Sequence, residues 1–212
     1  MTSIAIIDYG MGNLRSVAKA LEHVAPQARV IVTQNRQDIL QADRVVFPGQ
    51  GSIRDCMREL ARWNLMDVVR DAALGKPFLG LCLGPQALLD FSEENDGVDG
   101  LGVLPGRVVR FADPRDPTTG ERLKVPHMGW NQVRQAGNHP LWRGIPQDSR
   151  FYFVHSYYLR PADETLVVGW THYGFEFASA IARGNIFAVQ FHPEKSAQAG
   201  LRLLANFVDW NP

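Results

Sequence analysis

In the first part of the chain, short apolar runs alternate with stretches whose apolar residues recur at helical spacing. Ser3-Ile4-Ala5-Ile6-Ile7-Asp8 reads as a buried strand, and Leu14, Val17, Ala18 and Leu21 then share one helix face. Arg29–Thr33 and Arg44–Phe47 are further strands. A helical stretch from about Ile53 to Leu74, broken near Asn64, leads to an apolar run ending at Cys82, and Ala87, Leu88, Leu89 and Phe91 continue it as a helix. Strands that are apolar on both sides and separated by helices predict an α/β fold, with a mostly parallel central sheet flanked by helices. After Gly100 the texture changes to short β segments with frequent Gly and Pro, which predicts a smaller antiparallel section in the C-terminal half. There Arg183-Gly184-Asn185, between Phe177–Ala182 and Ile186–Phe191, is a hairpin signal. Ala112–Gly120 is a polar loop, and Leu201, Leu204, Ala205 and Val208 close the chain on an amphipathic helix. No repeat or linker interrupts residues 1–212, which read as one domain.

A chain of 212 residues can bury a full core. Its 22 basic and 22 acidic side chains cancel and form no basic block, which argues against nucleic acid as the main partner. Two cysteines, Cys56 and Cys82, are too few for a disulfide framework, and no Cys/His spacing suits a metal. Cys56, within Ile53-Arg54-Asp55-Cys56-Met57, reads as inert packing on a helix. The N-terminus opens directly into a strand without a signal peptide, and no apolar run is long enough to span a membrane. A cytoplasmic, reduced protein is expected.

The chemistry concentrates in Lys76-Pro77-Phe78-Leu79-Gly80-Leu81-Cys82-Leu83-Gly84-Pro85-Gln86. A strand ending in a nucleophile, with glycine two positions to either side and a helix behind, is the pattern of a nucleophile elbow. The turn leaves little room beside the nucleophile, which gives Gly80 and Gly84 a steric reason to be glycine. A thiol at a helix N-terminus feels the positive end of the dipole, and the Leu83 N–H is placed to donate to an oxyanion. Taken alone, Cys82 has a second reading as a buried structural cysteine between two turn glycines. Phe187-Ala188-Val189-Gln190-Phe191-His192-Pro193-Glu194-Lys195-Ser196 changes the balance. Pro193 biases His192 toward extended backbone, and residues two apart on extended chain project to one side. Cys82, His192 and Glu194 then make a nucleophile, a base and an orienting carboxylate.

Gly80–Gln86 together with His192-Pro193-Glu194 resembles the class I (triad) glutamine amidotransferases. Asp8-Tyr9-Gly10-Met11-Gly12-Asn13-Leu14, Pro126-His127-Met128-Gly129-Trp130-Asn131 and Phe153-Val154-His155-Ser156-Tyr157-Tyr158 narrow the resemblance to the glutaminase subunits of imidazole glycerol phosphate synthases, over essentially the whole chain. One departure is Pro85, where family members often carry a larger apolar residue; proline is tolerated in a first helical turn, so the elbow is expected to survive. The resemblance implies a single-domain class I amidotransferase fold and hydrolysis of L-glutamine without a cofactor or metal. It makes Pro48-Gly49-Gln50-Gly51-Ser52 the oxyanion strand, with Gly49, Gln50 and Gly51 supplying a peptide N–H, and Gln86 a substrate contact. It also implies a heterodimer with a (β/α)8-barrel cyclase that receives the ammonia, docked through a surface including Trp130 and Lys195.

Without Cys82 the 48–52 segment would be an ordinary strand-to-helix turn. Gly10-Met11-Gly12 lacks the third glycine of a dinucleotide loop, since Arg15 stands there; Asp8 and Asn13 read instead as turn and cap residues. Trp130, Tyr152, Tyr157 and Tyr158 are expected to divide between core and interface, while His127, His155 and His172 read as structural or interfacial. Two rival readings stand beside the glutaminase: an amidotransferase serving another synthase, and a catalytically silent subunit kept for assembly.

Overall fold

The computed structural model describes residues 1–212. Its first half alternates strand and helix: β1 (Ser3–Ile7), α1 (Leu14–Val24), β2 (Arg29–Thr33), α2 (Arg36–Gln41), β3 (Arg44–Gly49), α3 (Ile53–Arg62), α4 (Met66–Gly75), β4 (Phe78–Cys82) and α5 (Leu83–Leu88). The second half is β-rich: β5 (Phe91–Ser92), β6 (Val98–Asp99), β7 (Gly106–Arg110), β8 (His127–Gln132), β9 (Arg134–Gln135), β10 (Arg150–His155), β11 (Tyr157–Pro161), β12 (Val167–His172), β13 (Glu176–Arg183) and β14 (Ile186–Val189), closed by α6 (Ala197–Asp209).

The strands β2-β1-β3-β4-β14 pair in parallel. From β14 the same sheet continues through β13, β11 and β7 in antiparallel pairing, so the antiparallel section grows out of the parallel one. A separate antiparallel pair, β8 with β10, stands apart from this sheet. The turn joining β13 to β14 is Gly184-Asn185, with Gly184 at φ +56°.

Alternation along each strand explains why helices cover both faces. Ala5, Ile7, Val45, Phe47 and Phe78 pack with Ile53, Leu60, Val69 and Leu88 from the α3–α5 side. Ile4, Ile6, Val46, Leu79 and Leu81 face Val17, Leu21, Leu203, Leu204 and Phe207 from α1 and α6. Successive strand residues point to opposite faces, so a strand buried on both sides reads as unbroken apolar sequence.

The helical break falls where expected, at Asn64 with φ +54°, between α3 and α4. Three details differ from the sequence reading. The short α2 was not legible as a periodic stretch; Asn35 makes it possible, its side-chain oxygen accepting from the N–H groups of Gln37 at 2.8 Å and Asp38 at 3.3 Å. The helix after the elbow ends at Leu88, because Phe91 turns back into the sheet as β5. On α6 the fully buried side chains are Leu203, Leu204 and Phe207, with Leu201, Ala205 and Val208 along the flanks of that face.

Candidate active site

The site opens at the C-terminal ends of β3 and β4, where ligands gather in open α/β sheets. Cys82 ends β4 and caps α5 with φ +54° and ψ −90°, a backbone that non-glycine residues seldom adopt. Close packing holds this bend. A Cβ on Gly84 would stand 2.3 Å from the Phe47 carbonyl oxygen, and one on Gly80 would stand 3.1 Å from Ala188 Cβ and 3.2 Å from the Pro85 nitrogen. Pro85 lies in the first turn of α5, where its missing N–H breaks no intrahelical bond, and the elbow forms with it in place.

Gly49 ends β3 in direct register with Cys82. A Cβ there would meet Tyr9 Oη at 2.4 Å and Leu83 Cβ at 2.8 Å, so glycine is what lets this strand lie against the elbow. Gly51 has φ +93° and faces Met11, whose Cε would be 2.9 Å from a Cβ at that position. The Gly10-Met11-Gly12 loop therefore buttresses the 49–51 segment and lines the same cavity. At its start the Asp8 carboxylate accepts from the Gly10 N–H at 2.9 Å, as a turn residue does. Asn13, expected to cap α1, makes no side-chain cap bond; its backbone oxygen alone takes the N–H groups of Ser16 and Val17.

His192 arrives from β14 in extended geometry, φ −106° and ψ 94°, ahead of the short Pro193–Lys195 turn. Ser196 ties that turn down: its hydroxyl donates to the His192 carbonyl at 2.6 Å and accepts the Tyr152 N–H at 3.0 Å. The His192 N–H donates to the Tyr152 carbonyl at 2.9 Å. His192 Nδ1 stands 2.8 Å from Glu194 Oε1, with both side chains almost wholly buried. Since the carboxylate accepts, Nδ1 carries the proton and Nε2 is the nitrogen left over; it has no hydrogen-bond partner. Burial acts to lower the His192 pKa, but the Cys82 sulfur and the Glu194 carboxylate outweigh it and hold the ring at about 10. The sulfur lies near enough to raise the ring, yet makes no aligned hydrogen bond with Nε2. Cys56, by contrast, is buried within the core and its thiol is pushed up to about 12.

A cavity of about 830 Å³ joins these parts. Cys82, Leu83, Gln86, Gln50, Gly51, His192 and Lys195 all line it, and Gly49 lies just behind the wall. Sequence reasoning did not place Glu94, Ser156 or Tyr157 in the site, yet all three line the same cavity. Glu94 Oε2 accepts the Ile53 N–H at 2.9 Å at the start of α3, which no local pattern signals. Also missed was Gln190, fully buried after β14; a polar residue inside the run Phe187–Phe191 was its signal.

Trp130 lies outside this cavity, half exposed on β8 beside the exposed Met128. It meets Tyr152 edge-on at 6.2 Å, and Lys195 Nζ lies 6.0 Å from the Tyr152 ring, so the three form a ladder along the rim. None of Trp130, Tyr152, Tyr157 and Tyr158 is fully buried: the aromatic core is built instead from Phe111, Phe151, Phe153, Phe177 and Phe191. His127 and His155 are buried in a directed chain. His155 Nδ1 donates to the Tyr157 carbonyl at 2.7 Å, its Nε2 accepts from His127 Nδ1 at 2.8 Å, and Asn131 Nδ2 approaches His127 Nε2 at 3.2 Å. His172 contributes its backbone carbonyl, to which Asn131 donates at 2.9 Å. No three His, Cys, Asp or Glu side chains cluster as a metal would need, and no helix is long and apolar enough to cross a membrane.

A family model described as glutamine amidotransferase class-I matches residues 5–210. The imidazole glycerol phosphate synthase subunit HisH of Aromatoleum aromaticum is 62% identical over 213 residues, covering 100% of both chains. That of Nitrosococcus oceani is 64% identical over 211 residues, covering 100% of this chain and 99% of its own. Among solved structures, PurLQS from Thermotoga maritima superposes with a TM-score of 0.73 at 18% identity, covering 98% of each chain, a likeness of fold alone.

Proposed function

The chain belongs to the class-I glutamine amidotransferase family, and from that premise we propose that it is the glutaminase subunit of an imidazole glycerol phosphate synthase. The observation that carries the reading is the buried His192–Glu194 pair at 2.8 Å, with His192 lining the same cavity as Cys82 on its strained elbow.

The Cys82 thiolate attacks the carboxamide carbon of glutamine, with its proton held by His192 Nε2. Glu194 keeps the proton on Nδ1 and offsets the charge of the imidazolium. Negative charge grows on the carboxamide oxygen, where the Leu83 N–H and a peptide N–H from the Gly49-Gln50-Gly51 segment receive it. The tetrahedral intermediate collapses as His192 protonates the departing nitrogen, releasing ammonia and leaving a γ-glutamyl thioester. Water, deprotonated by His192, hydrolyses that thioester to glutamate. No step changes an oxidation state, so the reaction needs no redox cofactor. Gln86 and Glu94 line the cavity as acceptors for the N–H donors of the amino acid; Glu94 keeps one carboxylate oxygen free of its bond to Ile53.

Free ammonia is largely protonated in neutral water and lost as a nucleophile, so hydrolysis is useful only when coupled to a synthase. The relatives are named as subunits, which supports a partner for this chain. That partner is a (β/α)8-barrel cyclase that takes the ammonia and yields imidazole glycerol phosphate and aminoimidazole carboxamide ribonucleotide in histidine biosynthesis. The rim carrying Trp130, Met128 and Lys195, exposed apolar surface beside the cavity mouth, suits the docking. The Gly49–Gly51 segment is the part able to switch, because rotation of one peptide there makes or removes an oxyanion donor, worth about 10²–10³ in rate. Glutamate production by the chain alone, with the cyclase, and with the cyclase plus its nucleotide substrate tests this. The expected rates rise in that order; equal kcat in all three would defeat the gating, and no glutamate in any would defeat the glutaminase.

A further inference from the structure

Two side-chain amides connect the elbow to the substrate cavity, and a backbone carbonyl dictates which way both point. Gln190 is fully buried behind Cys82. Its amide approaches the Cys82 carbonyl at 3.2 Å, and a carbonyl oxygen can only accept, so the atom facing it is the nitrogen, Nε2. Gln190 Oε1 is thereby turned toward Gln86, at 3.0 Å, and an oxygen facing that amide demands its nitrogen. Gln86 is left with Oε1 turned away from Gln190. That oxygen has no hydrogen bond and is not sealed from solvent, and Gln86 lines the cavity one helical turn beyond Cys82. No other hydrogen bond sets the orientation of Gln86, whose amide would otherwise present oxygen or nitrogen by a simple flip.

We infer that Gln190 is a positioning residue for substrate selection: it locks the Gln86 amide with its oxygen toward the cavity, where it accepts an N–H of the bound amino acid. The inference rests on the glutaminase reading and deepens it. Glutamine offers two such donors, the carboxamide and the α-ammonium. A site built to accept an N–H discriminates strongly against a ligand without one, because the site's acceptor is then left facing nothing. The backbone N–H of Gln190, donating to Ser179 at 2.9 Å, anchors the residue to β13. The lock is therefore part of the sheet rather than of the cavity rim.

The test uses the Cys82→Ala protein assembled with its cyclase, so that ligands bind without reacting. Dissociation constants are measured for glutamine, for glutamate, which lacks the amide N–H, and for 4-carbamoylbutanoate, which lacks the α-ammonium. Gln190→Met frees the Gln86 amide and is expected to weaken glutamine about tenfold, the effect of one lost hydrogen bond to substrate. If the carboxamide is the donor, 4-carbamoylbutanoate weakens equally and glutamate is unaffected; if the α-ammonium is, the pattern reverses. Either pattern supports the proposal. In addition, Gln190→Met should cost nothing further in a Gln86→Met background. Equal weakening of all three ligands, or full additivity with Gln86→Met, would mean a general distortion of the elbow and would overturn the lock. Failure of the Gln190 parent to bind glutamine would overturn the glutaminase reading together with it. Gln190→Glu guards against misfolding of the methionine variant. In either protonation state its carboxyl keeps an oxygen that accepts from Gln86 Nε2, so glutamine affinity should stay near that of the parent. A loss of affinity as large as in Gln190→Met would refute the proposal.

Discussion

Replacing Glu194 by Gln separates the orienting role of the carboxylate from its charge. The glutamine carbonyl can still accept from His192 Nδ1 across the present 2.8 Å, so the tautomer that leaves Nε2 free is preserved. What disappears is a negative charge against a ring that becomes positive when Cys82 loses its proton. Hydrogen bonds to charged groups contribute about 1.5–3 kcal/mol and neutral ones about 0.5–1.5 kcal/mol, a difference of roughly 1–1.5 kcal/mol. The Coulomb energy of charges about 4 Å apart at an effective dielectric near 20 is about 4 kcal/mol, and sets an upper bound. With both side chains 5% or less exposed, water restores little of this. The expected fall in kcat for glutamine hydrolysis by the assembled enzyme is therefore about 10- to 10²-fold. Glu194→Ala should cost more, since Nδ1–H would be left buried without an acceptor. The pH profile gives a second readout. Burial works against the charged ring, and Cys82 and Glu194 together raise it to about 10. The imidazolium is lost as pH rises through that value, so removing one of its two supports moves the alkaline limb of kcat to lower pH. Unchanged kcat with an unmoved alkaline limb would refute the assignment of Glu194.

Cys82→Ser should abolish glutamine-dependent synthesis while the assembled enzyme still works with ammonium salts, because a serine hydroxyl stays protonated near neutral pH; glutamate production by this variant would exclude Cys82 as the nucleophile. Gly84→Ala forces a Cβ to within 2.3 Å of the Phe47 carbonyl and should destabilise the fold by about 1–3 kcal/mol while collapsing turnover, as read by thermal unfolding and glutamate formation; parent-like values in both would contradict the elbow packing. Burial holds His127 at about 4 and, with the neighbouring His127 charge, His155 at about 3, below their ordinary 6.5. The unfolded chain therefore takes up protons first as pH falls, and stability present above about pH 6.5 is lost on the way down to about pH 3. A His155→Gln variant should show a shallower decline of Tm over that range, and an unaltered slope would exclude His155 as a source of the acid sensitivity.

The parallel half of the fold was legible because its strands are buried on both faces and its helices have one apolar stripe, and both patterns are local. The elbow was legible for a similar reason: Gly80, Cys82 and Gly84 carry the sterics of the bend within five residues, and Pro193 sets the backbone of His192 directly. Other features depend on segments distant in sequence. Glu94 enters the cavity because its carboxylate meets the start of α3, 41 residues away, and Gln190 acquires its orientation from Cys82, 108 residues away. The Gly49 constraint exists only once Tyr9 and Leu83 converge on it. Asn13 looked like a cap by residue type, yet the capping bond is made by its backbone alone. The sequence by itself determined which residues are candidates for the chemistry and what local backbone each adopts, since periodicity, proline and glycine act over a few residues. Tertiary structure alone decided which atom of the Gln86 amide is engaged by Gln190, which imidazole nitrogen meets the carboxylate and which glycine has no room for a Cβ, because each depends on an atom that packing brings from another element.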